Sequence, residues 1–233
     1  MKQLALKITG TISLAVALLL TTGTLAQANT IAYDVSNPIS SSLTDWTNNA
    51  FAFTQFNPSL GTLTSVLLSF DGGYSTTLTV TNLNAPPSSG TANTHIIFYV
   101  NDAGLNFASG GKIFDMMSSD FSYSLGTGDS TTSGLMSDQS DGNNYDPYSH
   151  SYTSSIVLSE FTGTGDILLD AHTWTRSVLS NGGGNSSASQ VTDAFLDGSV
   201  TYTYTPAPVP EPSNLLLFGL GGLALLGYRR VTR

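Results

Sequence analysis

Apolar and polar positions alternate along most of the chain between residues 29 and 205. In residues 196–204 the even-numbered positions are apolar or small and the odd-numbered positions are polar, and residues 74–80 follow the same rule. A period of two predicts β-strands with one face in a core and the other in water. The pattern predicts further strands at residues 49–56, 63–70, 95–100, 120–125, 152–159 and 166–174.

Short polar clusters separate these strands and predict turns, among them Asp71-Gly72-Gly73, Ala85-Pro86-Pro87 and Gly163-Thr164-Gly165. Residues 126–144 and 180–190 consist mainly of Ser, Thr, Gly, Asn and Asp, which predicts two exposed loops. No window has the period of an amphipathic helix. Many short strands joined by polar turns predict an all-β fold, an antiparallel β-sandwich of jelly-roll-like form that spans residues 29–205.

The N-terminal 28 residues have the three parts of a secretory signal peptide, which we expect to be helical. Lys2 and Lys7 precede an apolar stretch at residues 12–20, and Ala26 and Ala28 form a small-x-small cleavage site. The alternative, a transmembrane anchor, is less well supported because the apolar stretch is short. We expect the general secretion machinery to export the chain and a signal peptidase to cleave it after Ala28.

The C-terminal residues also divide into three parts. A proline-rich spacer at residues 206–212 interrupts regular structure, because proline fixes φ and lacks a backbone donor. Residues 213–228 are apolar and uncharged, and as a helix they would span about 24 Å at ~1.5 Å per residue. The chain then stops with Arg229, Arg230 and Arg233, which places this end on the cytoplasmic side. We predict a single transmembrane helix at residues 213–228 with a cytoplasmic tail at 229–233.

The sequence Val209-Pro210-Glu211-Pro212, the Leu/Gly-rich stretch and the terminal arginines resemble the PEP-CTERM sorting signal. The resemblance covers about 25 residues and assigns Val209, Pro210, Glu211 and Pro212 as the sorting motif. It implies an exosortase as partner, transient anchoring in the inner membrane, and delivery to the cell surface or extracellular matrix. The family is associated with Gram-negative bacteria that make exopolysaccharide, so exopolysaccharide is an expected partner.

Charge is distributed very unevenly along the chain. The segment 29–205 holds two of the seven basic residues and fifteen of the sixteen acidic residues, a formal charge of −13. Such a domain repels phosphate backbones, so nucleic acid is excluded as a partner. The chain contains no cysteine, which excludes disulfides, cysteine–zinc sites and cysteine nucleophiles.

A second resemblance lies within the predicted sandwich. Residues 55–66 (QFNPSLGTLTSV) and the closing strand at 200–204 (VTYTY) are similar to the choice-of-anchor E domain. That group consists of β-rich ectodomains with alternative C-terminal anchors. The resemblance implies a surface domain over roughly residues 30–205 and no particular activity.

No catalytic residue, metal site or cofactor is assigned from the sequence. His95, His150 and His172 stand in unrelated contexts, no Gly-x-Ser-x-Gly motif is present, and no His-x-x-x-His pair is present. We interpret all three histidines as structural. Glu160 and fourteen aspartates leave open a small secreted glycan-active enzyme, which would need two carboxylates across a cleft.

Two further sites are considered. Residues 138–146 are rich in oxygen ligands, which leaves open a structural Ca²⁺ and a Ca²⁺-dependent carbohydrate-binding module. Trp46, Tyr145 and Tyr148 are candidate platforms for sugar rings, although aromatic residues of a sandwich usually belong to the core. The favoured hypothesis is a non-enzymatic surface or matrix protein that associates with exopolysaccharide.

Overall fold

The computed structural model describes residues 27–101, 111–181 and 185–208, and the description below concerns this part of the chain. The predicted all-β class is confirmed. The strands are β1 (Asn29–Asp34), β2 (Ile39–Leu43), β3 (Thr47–Thr54), β4 (Gly61–Asn84), β5 (Ser88–Asn101), β6 (Lys112–Met117), β7 (Phe121–Leu125), β8 (Ser130–Thr132), β9 (Met136–Gln139), β10 (Tyr148–Tyr152), β11 (Asp166–Asn181) and β12 (Asn185–Pro206). One helix, α1 (Ser155–Glu160), and a 3₁₀ turn (Pro58–Leu60) complete the described elements.

The strands form two antiparallel sheets, as predicted for a β-sandwich. The seven-stranded sheet has the order β1-β12-β4-β10, with β2 beside β12 and with β8 and β9 beside β4. The five-stranded sheet has the order β3-β11-β5-β6, with β7 beside β5. Strands distant in sequence therefore pair within each sheet.

Two long strand pairs form the centre of the sandwich. β4 pairs with β12 from Gly61 to Asn84, and β5 pairs with β11 from Gly90 to Asn101. The alternation of their side chains places the apolar residues between the sheets, as the period of two requires. The main core is rich in fully buried aromatic rings, and a smaller core surrounds Leu78 and Val80.

A group of buried threonines lies on the inner faces of three central strands. Oγ1 of Thr76 on β4 lies 3.1 Å from Oγ1 of Thr94 on β5 and 2.6 Å from Oγ1 of Thr192 on β12. All three residues are buried. Their hydroxyl groups satisfy one another, as buried polar groups must.

The predicted turn at Asp71-Gly72-Gly73 is wrong, because β4 continues through it. These residues pair with Asp197, Leu196 and Phe195 of β12. The glycines serve a different purpose. A Cβ atom on Gly72 would lie 3.0 Å from the Phe114 ring, and one on Gly73 would lie 2.5 Å from the Phe195 ring. Glycine here makes room for aromatic rings rather than reversing the chain.

The predicted strand at residues 152–159 is also wrong beyond its first residue. β10 ends at Tyr152, and α1 follows at Ser155. Ser154 caps this helix, since its hydroxyl accepts a hydrogen bond from the backbone N–H of Val157. Val157 is buried against the main core. With six residues the helix is too short to show its own period in the sequence.

The two predicted loops are more regular than expected. Residues 126–144 include β8 and β9, which add two short strands beside β4. In residues 180–190, β11 continues to Asn181 and β12 starts at Asn185, so the strands occupy most of the expected loop. β12 extends one residue beyond the predicted domain end, to Pro206, and the backbone N–H of Ala207 donates to the carbonyl of Leu60.

Residues 1–26 of the predicted signal peptide (residues 1–28) and residues 209–233 of the predicted tail lie outside the described residues. Within the part that is described, no helix has the length and apolar character needed to cross a lipid bilayer.

Candidate functional site

Strands β6, β5 and β11 lie side by side, and their alternate residues point to the outer face of the five-stranded sheet. The register places Tyr99 between Lys112 and His172, Ile97 between Asp115 and Trp174, and His95 between Met117 and Arg176. These side chains form three rows of three across the sheet. We call this group of nine residues the platform.

Trp174 is the most prominent apolar residue of the platform. Its side chain is 46% exposed, whereas Ile97 beside it is only 9% exposed and fills the space between its neighbours. A tryptophan placed outward on a sheet gains little from folding, because much of its ring remains in water. Met117 is also 46% exposed, so the platform presents two large apolar side chains among polar neighbours.

The rings of the platform are ordered with respect to one another. Tyr99 and His172 are stacked, with ring centres 4.8 Å apart and an interplanar angle of 11°. The His95 ring meets the Trp174 ring edge-on at 6.5 Å. The guanidinium carbon of Arg176 lies 5.5 Å from the centre of the Trp174 ring, within the range of a cation–π contact.

A chain of hydrogen bonds crosses the platform from Arg176 to Lys112. Nε of Arg176 donates to Nδ1 of His95 at 3.2 Å. Nε2 of the same ring contacts one carboxylate oxygen of Asp115, and Nζ of Lys112 donates to the other at 2.6 Å. The hydrogen bonds from Lys112 and His95 hold the pKa of the Asp115 carboxyl below its ordinary value.

The two cations of this chain are used differently. The Lys112 amine is bound to Asp115, which raises the pKa of Lys112. Arg176 forms no ion pair with any carboxylate in the described ranges, and its hydrogen bond to His95 uses only Nε. The two terminal nitrogens of Arg176 therefore face solvent beside the exposed Trp174 ring.

The electrostatics of the platform differ from those of the domain. Lys112 and Arg176 are the two basic residues of the segment 29–205, and both belong to the platform. With Asp115 the platform carries a formal charge of +1, whereas the segment as a whole carries −13. Three carboxylates lie beside the platform: Asp45 accepts from the N–H of Thr175, Asp120 accepts from Asn93, and Asp170 lies opposite Asn101, two residues from His172.

The segment before β3 fixes the free edge of β11 next to Trp174. Oδ1 of Asp45 accepts a hydrogen bond from the backbone N–H of Thr175 at 2.8 Å, and the carbonyl of Trp46 accepts one from Thr173. Asp45 has a φ of 62°, a conformation that aspartate tolerates better than most residues. These bonds hold the Trp174–Arg176 stretch in the sheet where β3 no longer pairs with it.

A groove of about 730 Å³ lies beside one corner of the platform, and Met117 lines both. The hydroxyl of Tyr145 accepts a hydrogen bond from the N–H of Met117 and donates one to its carbonyl, which ties the 140–147 segment to the end of β6. Tyr74 lies at the base of this groove. Burial, and after it the neighbouring Tyr145 and Asp138 groups, raise the pKa of its phenol.

The oxygen-rich segment 138–146 forms a wall of this groove. Its carboxylates bind within the segment: Oδ2 of Asp138 accepts from Nδ2 of Asn144 at 2.7 Å, and Oδ1 of Asp141 accepts from the N–H of Asn143 at 3.0 Å. Among the described residues no three His, Cys, Asp or Glu side chains are grouped so that they could hold a metal ion.

The three aromatic residues that the sequence offered as sugar platforms do not lie on one surface. Trp46 packs against the main core and meets Phe98 edge-on at 6.5 Å. Tyr148 also packs against the core, beside Phe70. Tyr145 lines the groove. The platform of β6, β5 and β11 was missed because its members are far apart in sequence, and the exposed Trp174 within an otherwise regular strand was the signal for it.

The structure distributes the three histidines, interpreted from the sequence as structural, in two places. His95 and His172 belong to the platform, where their rings contact Trp174 and Tyr99. His150 lies on β10, with its ring 4.6 Å from that of Tyr152.

Of the carboxylates considered for a glycan-active enzyme, the groove beside the platform has that of Asp138 in its lining. The pair Asp71 and Asp197 lies directly opposite on β4 and β12. Partial burial raises the pKa of Asp71, and the Asp197 charge raises it further. Both residues are exposed on the outer surface of the seven-stranded sheet, away from the platform. Glu160 ends α1, and its backbone carbonyl accepts a hydrogen bond from Gln55.

The targeting residues of the sequence prediction are almost all outside the described ranges: Ala26, Val209, Pro210, Glu211, Pro212, Arg229, Arg230 and Arg233. Ala28 is described and is exposed, one residue before β1. An exposed, unpaired stretch at this position is compatible with cleavage after Ala28.

Comparison with known proteins identifies a sorting signal in the tail. The family model of the PEP-CTERM protein-sorting motif matches residues 208–231, which supports the assignment made from the Pro-Glu-Pro sequence. The match covers the tail and not the sandwich. The search of curated proteins found no match.

Two solved structures illustrate the remaining similarity. A chain of infectious bursal disease virus, Gx strain, is 12% identical over 78% of this chain, with a TM-score of 0.20, and this chain spans 37% of its length. A chain of Mud crab tombus-like virus is 8% identical over 82% of this chain and 86% of that chain, with a TM-score of 0.21. Similarities this low do not bear on function.

Proposed function

We propose that this chain is an exported, exosortase-sorted protein whose β-sandwich binds exopolysaccharide at the cell surface or in the extracellular matrix, without catalysis. The platform around the exposed Trp174 is the observation that carries the binding role. The sorting motif at residues 208–231 supports export and transient anchoring by the tail. The ligand, the matrix location and the absence of catalysis are parts of the proposal.

The chemistry of the platform suits a polysaccharide. Sugar rings have apolar faces that stack on aromatic rings and hydroxyl groups that pair with Arg, His and Asp side chains. The platform offers both kinds of partner on one outer face of the sheet. An extended polymer can lie across such a face, whereas a small ligand would need a deeper site.

The sorting role is tested by changing the motif in the full chain in its producing cells. In the variant Pro210→Ala/Glu211→Gln we expect uncleaved protein to accumulate in the membrane fraction. Pro206→Ala, in the spacer before the motif, is the matched control and should be processed normally. Mass spectrometry of the recovered protein would show both cleavage points, and normal processing of the motif variant would overturn this part of the proposal.

The binding role is tested by affinity electrophoresis of the full chain in detergent, in gels that contain exopolysaccharide from the producing cells. Trp174→Ala should abolish the retardation. Leu168→Ala is the control, because Leu168 is 59% exposed on the same strand but lies outside the platform. Equal retardation of the wild type and the Trp174→Ala variant would contradict a role of the platform.

The melting temperature of the same protein, with and without Ca²⁺, tests the calcium-dependent alternative. The carboxylates of Asp138 and Asp141 already accept hydrogen bonds from their own segment, so we expect the melting temperature to be unchanged by Ca²⁺ or by a chelator. A rise of several degrees on addition of Ca²⁺ would favour the calcium-dependent module, since a ligand that binds the folded state stabilises it.

A further inference from the structure

We infer that the platform selects acidic polysaccharides, and that Arg176 recognises the carboxylate of a uronic acid residue stacked beside Trp174. This inference rests on the proposed function, because it names the class of glycan that the same face would bind. It commits the platform to a polymer of carboxylated sugars rather than a neutral one.

The first argument is the state of the Arg176 side chain. Its Nε donates to His95, and its guanidinium carbon lies 5.5 Å from the centre of the Trp174 ring. These two contacts fix the plane of the guanidinium and leave its terminal nitrogens without an acceptor in the described part of the chain. A guanidinium with a free pair of donors matches the two oxygens of a carboxylate.

The second argument is that the hydrogen-bond chain supports this orientation. Asp115 accepts from both Lys112 and His95, so its negative charge is matched by Lys112. Asp115 also contacts the His95 ring, whose Nδ1 accepts the hydrogen bond from Arg176. Within the described part of the chain Arg176 forms no ion pair, and it lies beside the ring on which a sugar would stack.

The third argument is charge complementarity across the whole domain. The segment 29–205 contains fifteen acidic residues and two basic residues, and the two basic residues share this face with exposed Trp174. A neutral glycan would not require a cation here. A polyanion would be repelled by an acidic surface, and the platform holds both residues of the segment that can attract it.

The experiment uses the full chain in detergent, with a chelator present so that Ca²⁺ cannot bridge the acidic protein and the acidic polymer. The probes are polygalacturonate and its methyl-esterified form, which have the same sugar rings with and without the negative charge. Affinity is measured by electrophoresis in gels of graded polysaccharide content. We expect the charged polymer to bind about tenfold or more tightly than the ester, the factor of one charge-assisted hydrogen bond.

Three variants divide the roles of the two cations. Arg176→Gln should lose about tenfold or more of its affinity for polygalacturonate and little for the ester. Arg176→Lys should be intermediate, because it keeps the charge but loses the paired donors. Lys112→Gln removes the same charge from the same face but leaves the paired donors of Arg176 in place, so its loss of affinity should be clearly smaller than that of Arg176→Gln.

The outcomes separate this inference from the proposed function. Equal binding of the two polymers, abolished by Trp174→Ala, would overturn the selection of acidic sugars and leave the glycan-binding role intact. Equal losses in Arg176→Gln and Lys112→Gln would show general charge attraction and overturn the assigned role of Arg176. Binding of neither probe, together with no binding of the cells' own exopolysaccharide, would overturn both proposals. All four exposed-site variants should keep the wild-type melting temperature, which would show that they remain folded.

Discussion

The hydroxyl group of Tyr202 on β12 donates a hydrogen bond of 2.7 Å to the backbone carbonyl of Thr54 on β3. The two strands belong to different sheets, so this bond joins the sheets across the main core. The Tyr202 ring is fully buried and contacts the rings of Phe56 and Phe161. Burial raises the pKa of its phenol, so the hydroxyl remains a donor at all ordinary pH values.

Replacement of Tyr202 by Phe should keep the ring packing and remove this bond. We expect the free energy of unfolding to fall by about 1–2 kcal/mol, because a buried acceptor loses a partner. Tyr204→Phe is the control, since Tyr204 is only partly buried and should change stability by less than about 0.5 kcal/mol. Denaturant unfolding of both variants measures the difference, and equal effects would contradict the assigned role of the Tyr202 hydroxyl.

Because the hydroxyl groups of Thr76, Thr94 and Thr192 bind one another, we expect the effects of substituting them on the free energy of unfolding to be non-additive. Thr76→Val removes the central hydroxyl and leaves two buried hydroxyls without it, so we expect a loss of about 1–3 kcal/mol. The triple variant with valine at all three positions removes every polar atom of the group and should recover most of that loss. Denaturant unfolding tests this, and a triple variant less stable than Thr76→Val would show that the hydroxyls are not a single unit.

Gly61 follows the 3₁₀ turn and has a φ of 149°, where side chains are rarely found. A Cβ atom here would lie 2.0 Å from the backbone carbonyl oxygen of Thr205. Gly61→Ala should therefore destabilise the fold by at least about 2 kcal/mol, because backbone of β12 would have to move. Gly134→Ala is the matched control, since no atom lies within 4 Å of its Cβ position. Thermal unfolding that ranks the two variants equally would contradict this account.

The raised pKa of Asp71 predicts that the stability of the fold depends on pH. Its pKa is raised by partial burial and by the Asp197 charge, although a hydrogen bond from Ser140 opposes this. A raised folded-state pKa gives a contribution that is present below the unfolded pKa of about 3.9 and is lost as the pH rises through the folded value. Asp71→Asn removes the charge that is unfavourable at neutral pH.

We therefore expect Asp71→Asn to raise the melting temperature at pH 7 and to change it little at pH 3. The control is Asp146→Asn, which replaces an exposed aspartate of the 140–147 segment. The same shift at both pH values in Asp71→Asn would show that the effect does not come from the titration of Asp71.

Several features followed from the sequence because their causes are local. The period of two in residues 196–204 predicts the buried face of β12, and Val200 and Tyr202 are indeed buried. The Ala85-Pro86-Pro87 turn also lies between β4 and β5, as predicted. The Pro-Glu-Pro motif and its flanks are a linear signal, so the family match at residues 208–231 needs no fold to support it.

Other predictions failed where a distant part of the chain decides the local structure. Gly72 and Gly73 form a dipeptide typical of a turn, yet pairing with β12 keeps them extended. The rings of Phe114 and Phe195 approach them from other strands. Trp46 stands next to polar residues in the sequence and was one candidate platform for a sugar ring, yet it packs beside Phe98. Nothing near these residues in sequence reports those contacts.

The sequence by itself determined the β class, the sorting motif of the tail and the acidic character of the domain, since each depends on composition or on residues close together in the chain. Only the tertiary structure decided the platform. Lys112, His95 and Arg176 come from three strands, and their hydrogen bonds with Asp115 exist because the register of β6, β5 and β11 places them in adjacent rows. Register is set by pairing over the whole length of these strands, which no short segment specifies.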